Sequence, residues 1–434
     1  MRFRNVSSLL MVAVCISCSE VASGPDDLEN PLTKQIESLY RKADWRGITS
    51  LVDSFEWKNK DDLDPLLLVT AAVVELRSNI TEYFEPFKIP RDVREFLTVY
   101  QAMLGGNFRK SRQYFEAMAL DQDKRELATL GLLEYATVVA NPKLLEMAVQ
   151  RARALHGSSY LQRRLPSYEA TLASLRGDHK LLEKLLAKYR LEATEHAALR
   201  IQALLEQGTL KVARREIAAY IEKFGYDREI APLESWLISQ ERDLPGYLTH
   251  LEDRIEQYPQ YWLLKLERFH LLMKMRRTAE ARILFVELFR ERSSNPVVAA
   301  DRLLFFGEEL ARTGKLELTL QEEADNFEDV PRYQLAKARL LYEHLNRKDE
   351  AKQLLDRVRD DAPGEADQLL LRAWFAKREG DAQEEIESLT TYLKMRPTDT
   401  EIMRALVDLH LSVGNRAQAS KYELRLDAKS KESR

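Results

Sequence analysis

Apolar residues near the C-terminal end recur with a helical rhythm. Ile402, Leu406, Leu409 and Val413 step by 4, 3 and 4 positions, which lines them up on one face of an α-helix. Gly414 ends the run, where a helix terminus favours a residue free to turn left-handed. In the unit before, a second helix carries Ile386, Leu389 and Leu393 on its apolar face, and Pro397 stands just beyond it. The pattern predicts two helices around a tight turn.

This unit repeats. Gly380 and Gly414 are 34 residues apart, as are Asn346 and Gly380, and Pro363 and Pro397. The turn positions are Gly106, Asn141, Gly177, Gly208, Arg242, Arg276, Gly314, Asn346, Gly380 and Gly414, with a mean spacing near 34. Arg242 and Arg276 are placed by phase rather than by residue type. Two further units fit before these, around "KADWRGITSLVDSF" and "RSNITEYFEPF". Five residues after the turn a small residue recurs, as Ser111, Ala213, Ala281, Ala351 and Ala419. Nine after it comes a bulky one, as Phe115, Ile217, Phe285, Leu355 and Leu389. Twelve after it come Met118, Tyr220, Leu288, Val358, Tyr392 and Leu426. Where two helices of a hairpin cross closely, one side chain must be small. The bulky residues on the following turns then fill the space to the next hairpin.

These features resemble the tetratricopeptide repeat, a helix-turn-helix of 34 residues. The small residue, the two bulky ones and the terminal proline match that family's second helix. The first helix departs from it. The family's Trp and Leu-Gly are mostly missing; Ala373 and Val407 stand where its glycine would be, and Arg339 in the unit before. Glu385 breaks a small position and Glu423 a bulky one. Residues 332–426 match best. The resemblance implies an all-α fold, a right-handed superhelical α-solenoid of about ten to twelve hairpins. Residues 31–260 fit degenerate repeats or a related α-solenoid, residues 261–427 are clearer repeats, and 428–434 form a polar tail. The 34-residue phase predicts hairpins stacked into an open superhelix.

Composition agrees with this reading. Only 15 Gly and 14 Pro in 434 residues argue against a turn-rich β protein, and 45% hydrophobic with 31% charged residues supports folded, soluble helices. The net charge of -4 gives no electrostatic footprint for nucleic acid. Basic runs such as "KMRR" and "FRKSR" are flanked by acidic residues and read as solvated helix faces.

The N-terminal end has a different character. Arg2 and Arg4 precede an apolar stretch at residues 6–16, shorter than the roughly 20 apolar residues of a membrane-spanning helix. It fits the h-region of a secretory signal. Cys15-Ile16-Ser17-Cys18 follows, and resembles the lipobox of bacterial lipoproteins. Ser17 fills the small position before the modified cysteine, while Cys15 replaces the usual aliphatic residue. A register ending at Cys15 puts branched Val14 at the small position and fits worse. The resemblance implies a signal at 1–17, lipidation of Cys18, and a flexible tether at 18–30, the acidic "SEVASGPDDLEN". Ordinary signal cleavage is the alternative. A redox or zinc pair would need further ligands that nothing nearby supplies. Ser19, in place of Asp, favours the outer membrane by the enterobacterial pattern.

Catalytic chemistry leaves little trace. The histidines, His156, His179, His196, His250, His270, His344 and His410, have no zinc-protease spacing and read as surface or partly packed. "RTGKLE" lacks the upstream glycine and following Ser/Thr of a phosphate loop. No cofactor, metal or small-molecule substrate is expected. An enzyme reading needs a helical toroid whose carboxylates meet at a central cavity, acting on envelope glycans. The chain reads instead as a non-catalytic scaffold for protein partners in a bacterial envelope, in secretion, outer-membrane biogenesis or polysaccharide export. A soluble periplasmic chaperone-like protein is the further alternative. In the repeat family, partners lie on the concave face made by first helices. Carried over, those positions are Tyr333, Glu343, His344, Asp367, Trp374, Lys377, Arg378, Arg404 and Asp408. Trp374 is either a peptide anchor or a packing residue between helices. The family's two-carboxylate clamp of Lys and Asn is missing.

Overall fold

Alternating helices and tight turns make up all of the chain that can be described, with no strand among the described residues. The structure, a computed structural model, describes residues 31–51, 63–85, 88–155, 159–189, 194–239, 244–324, 326–362, 366–396 and 399–432. The expected signal and tether at 1–30, with Cys18, lie outside the described residues, as do the turn placed at Arg242 and prolines 363 and 397.

The first hairpins are α1 (Pro31–Arg41) with α2 (Trp45–Ser50), α3 (Leu63–Glu75) with α4 (Ile80–Phe84), and α5 (Arg91–Leu104) with α6 (Phe108–Met118). Next come α7 (Arg125–Val138) with α8 (Pro142–Ala154), α9 (Ser159–Leu175) with α10 (His179–Tyr189), and α11 (Thr194–Glu206) with α12 (Leu210–Phe224). The second half has α13 (Ile230–Ser239) with α14 (Leu244–Gln257), α15 (Trp262–Lys274) with α16 (Thr278–Arg292), and α17 (Pro296–Arg312) with α18 (Leu316–Ala324). The last are α19 (Pro331–Glu343) with α20 (Lys348–Asp361), α21 (Ala366–Glu379) with α22 (Ala382–Met395), and α23 (Thr400–Ser412) with α24 (Arg416–Glu432). These are twelve hairpins, in line with the period.

The turns fall where the punctuation placed them. Gly106, Gly177, Gly208, Arg276, Gly314, Asn346, Gly380 and Gly414 all have positive φ. The two early units turn at Ala43 and Arg77, also left-handed. At the fourth hairpin the left-handed residue is Ala140 rather than Asn141. Asn141 is instead the N-cap of α8, its side chain accepting from the Leu144 N–H at 3.1 Å. Its short amide does more as a cap than at the strained position, since a cap satisfies an orphan N–H.

Packing follows the small-and-bulky pattern. Ser111, Ala213, Ala281, Ala351 and Ala419 are buried at the hairpin crossings, with Phe115, Ile217, Phe285, Leu355 and Leu389 buried one turn on. Gly307, seven residues before its turn like Ala373 and Val407, holds the small first-helix position in α17; a Cβ there would lie 2.3 Å from Leu340 Cδ2. The last first helix corrects the opening pattern. In α23 the buried stripe is Met403, Leu406, Val407 and His410, whereas Val413 is a half-exposed cap residue. Helix α23 packs between α22 and its own partner α24, which keeps Leu406 in the stripe and shifts its other members by one position.

The superhelix is wound, not open. Successive turns touch along a seam, because the tips of hairpins one to four nest between inter-hairpin loops about six hairpins later. The Arg41 carbonyl accepts from the Arg228 N–H at 3.1 Å and the Tyr261 hydroxyl at 3.3 Å. Ala43 is buried with Ala231, Tyr247 and Tyr261. Arg77 reaches the carbonyls of Arg290 and Glu291, and Arg292 pairs with Glu75 at 2.5 Å. Asn326 brackets the third tip, accepting from the Phe108 N–H at 2.9 Å and donating to the Gly106 carbonyl. Asp329 then accepts from Arg112 Nη1 on both carboxylate oxygens, at 2.8 and 2.7 Å, and from the Tyr135 hydroxyl at 2.6 Å. Lys143 closes the row on Asp361 at 2.6 Å. One apolar core accordingly includes both α1–α9 residues and α17–α21 residues.

Candidate partner-binding surface

The predicted concave-face residues divide between interior and surface. Tyr333 of α19 is fully buried; its hydroxyl donates to Glu323 at 2.9 Å and its ring packs 4.8 Å from Phe327. Asp367 is buried in the first turn of α21. Trp374 is 9% exposed, edge-on to Tyr342 at 5.6 Å, and the guanidinium of Arg378 covers it at 4.7 Å. It packs between helices rather than waiting open for a peptide. Its lid is nonetheless on the surface. Arg378 is exposed, 3.9 Å from Glu343, which also takes Arg339 at 3.1 Å. His344 follows as the half-buried C-cap of α19. Lys377 is exposed beside Arg378.

Arg404 and Asp408 are exposed on α23, four residues apart and so one helical turn apart. Glu343, Lys377, Arg378, Arg404 and Asp408 therefore form the accessible part of the set, of mixed charge, while Tyr333, Asp367 and Trp374 belong to the core. α21 is buried along ten consecutive or near-consecutive positions from Ala366 to Ala376. A first helix packed nearly all round leaves only its last turn, with Lys377 and Arg378, for a partner.

The first helices also hold buried charge that the sequence reading passed over. Glu134 of α7 has no exposed surface. It pairs with Arg164 of α9 at 3.0 Å and accepts the hydroxyl of Tyr168, with Tyr100 at 3.4 Å. Arg164 also donates to the Tyr160 hydroxyl oxygen at 2.8 Å, and Asp64 lies 3.3 Å away. Burial pushes the Glu134 carboxyl up, and Arg164 pulls it back.

A second chain links three first helices at intervals of 31 residues. His270 lies 2.9 Å from Asp301, and Arg332 lies 2.5 Å from the other Asp301 oxygen. Burial raises the Asp301 carboxyl, but Arg332 and His270 outweigh it and hold the group at about 2. Glu267, one turn before His270, accepts the Tyr247 hydroxyl at 2.6 Å. These carboxylates are met by cations and hydroxyls of the fold, so their work is to fix how neighbouring first helices sit. The only sequence trace was a Glu or Asp breaking an apolar first-helix run, which 31% charged residues make unremarkable.

No protein-family profile matches the chain, and no curated protein does. Solved structures do. The Cut9–Hcn1 hetero-tetramer of the APC/C is 12% identical, with 92% of this chain and 80% of that one covered at a TM-score of 0.51. The human IFIT1 dimer with m7Gppp-AAAA is 11% identical over 93% and 96%, at 0.40. Naa15/Naa10 bound to HypK-THB is 12% identical over 90% and 67%, at 0.25. Likeness to the first of these shows a shared architecture. With twelve helical hairpins among the described residues at a period near 34, the chain has the fold of a tetratricopeptide-like α-solenoid.

Proposed function

We propose that the protein is a non-catalytic protein-binding scaffold of a bacterial cell envelope, held to the membrane by a lipid on Cys18. The observation that carries the binding half is where the seam stops. Among the described residues its last polar contact is Asp361 at the end of α20. α21 to α24 continue past it and display Lys377, Arg378, Arg404 and Asp408 to solvent. Exposed charges of both signs on helices favour register and partner choice over raw affinity. Among the described residues no helix is long and apolar enough to cross a membrane, and the signal pattern with Ser17-Cys18 supports the anchor. Assemblies for secretion, outer-membrane biogenesis or polysaccharide export fit this placement.

Two measurements test the halves separately. Crosslinking in envelope membranes compares wild type with the double variant Lys377→Glu/Arg378→Glu; loss of specific partners is expected while helicity is kept. An unchanged partner set removes this surface from the reading. Metabolic palmitate labelling should vanish in Cys18→Ser, and labelling that persists moves the anchor to Cys15 or elsewhere.

A further inference from the structure

We propose that the seam is a releasable latch. Hairpins one to four and the hairpins of α13 to α20 separate as two bodies, hinged through α9–α12, so the superhelix has a wound and an open form.

The first ground is what the seam is made of. Much of it consists of helix-end groups capped across the gap rather than within the hairpin. α6 starts at Phe108, yet its N-cap Asn107 makes no side-chain cap bond; Asn326, from the other body, takes the Phe108 N–H. The last-turn carbonyls of α16, Arg290 and Glu291, accept from Arg77. The Arg41 and Lys42 carbonyls, at the end of α1, accept from Arg228, Tyr261 and Gln260. Orphan groups at helix ends are satisfied equally by water, so parting the bodies leaves none of them buried and unpaired. The ion pairs keep partial contact with solvent, from the Arg112–Asp329 pair to Lys143–Asp361, and salt weakens such pairs. Apolar sealing centres on three places: Phe108 against Phe327 at 5.9 Å, Ala43 among Ala231, Tyr247 and Tyr261, and the Arg228 guanidinium over Tyr40 and Trp45 at 4.6 and 5.5 Å.

The second ground is the connecting arc. The fifth tip leaves the seam: a Cβ built on Gly177 meets nothing within 4 Å. Between α9 and α11 the described core is a cluster of Ala170, Ala173, Leu182, Leu199 and Ala203, with Leu185 and Leu186 packed on it, separate from the large α1–α9 core and from the α11–α13 cluster. Three of these five residues are alanines, which bury little area each, so bending there sacrifices little packing.

Two backbone amides report directly on the latch, because each donates to an acceptor across it: Phe108 to Asn326 and Arg228 to Arg41. Native-state hydrogen exchange on the full chain measures them against Leu130 in α7 and Leu340 in α19. The expected result is that Phe108 and Arg228 exchange alike, and at least about tenfold faster than the helix interiors. In Asp329→Ala both speed up together, and small-angle scattering shows a larger radius of gyration. Exchange of Phe108 and Arg228 at the rate of Leu130 overturns the proposal, since the seam would then open only with global unfolding. Acceleration of Phe108 alone in Asp329→Ala also overturns it, because the seam would not release as a unit. If Asp329→Ala does not fold, Arg77→Met gives the same pair of readings from another tip.

Discussion

Replacing Arg164 by methionine puts the buried charge of the first helices to a quantitative test. Arg164 is 1% exposed and Glu134 is fully enclosed, so water cannot substitute for the guanidinium. Removing one partner of such a pair costs about 3–5 kcal/mol. The carboxyl has an escape, which is to take up a proton and keep its bonds to Tyr168 and Tyr100. Protonating a carboxyl of ordinary pKa at pH 7.5 costs about 4 kcal/mol, and the cost falls by about 1.4 kcal/mol per unit of pH. In the variant the folded state then binds a proton that the unfolded state lacks, so its stability drops as pH rises. The deficit relative to wild type should thus be about 4 kcal/mol at pH 7.5 and about 1.5 kcal/mol at pH 5.5. Urea unfolding followed by circular dichroism at both pH values measures it. Adding Glu134→Gln should recover most of the loss at pH 7.5 and abolish the pH dependence, because no charge remains to be neutralised. A deficit below about 1 kcal/mol, or one that is equal at the two pH values, would refute the account of a solvent-free pair.

Two further outcomes follow from local geometry. Gly106→Ala puts a Cβ 2.2 Å from Ser294 Cβ and 2.6 Å from its carbonyl at φ +94°, whereas Gly177→Ala meets nothing at φ +66°. Thermal melts should show a loss of about 1–2 kcal/mol for Gly177→Ala, the left-handed strain alone, and about 2–5 kcal/mol for Gly106→Ala, where overpacking adds to it; equal losses would mean that the third tip is not clamped. Burial pushes the Glu229 carboxyl up to about 8, against the pull of Arg228. Its folded pKa lies above the unfolded one, so it erodes stability as pH rises from about 4.5 to 8, by at most about 5 kcal/mol. Glu229→Gln should raise the melting temperature at pH 8.5 and flatten the profile, and an unchanged slope speaks against it.

The hairpins were legible because each carries its own local signals. Gly380 and Gly414 mark turns by backbone freedom, and Ala351 and Ala419 mark close crossings by size. These are properties of residues within one period. The seam was not legible, since its partners stand 218 residues apart, as Phe108 and Asn326 do. A trace is visible once the structure is known. Two of the seam tips, Gly106-Asn107-Phe108 and Ala140-Asn141-Pro142, carry no charge, where tips outside the seam hold charges such as Arg276-Arg277, Gly314-Lys315 and Asn346-Arg347; the Arg77 tip, charged and within the seam, does not share this trace. Trp374 shows the same limit for the surface. Its helical position assigns it to a concave wall, but whether that wall is open depends on Tyr342 and Arg378 from two different helices.

The seam also constrains how the chain can vary in length. A separation of 218 residues at a period of 34 is about 6.4 hairpins, so each tip falls between two hairpins of the layer it meets, as courses of brick are offset. The Asn141 and Lys143 tip, for instance, touches both Asp329 and Asp361. An ordinary solenoid tolerates loss or duplication of a repeat, because each unit meets only its neighbours. Here an added or deleted hairpin within α9–α12 would slide the whole first course by one brick. Asn326, Asp329 and Asp361 would then face tips of the wrong residues. The number of units in that arc is fixed by contacts that none of them makes.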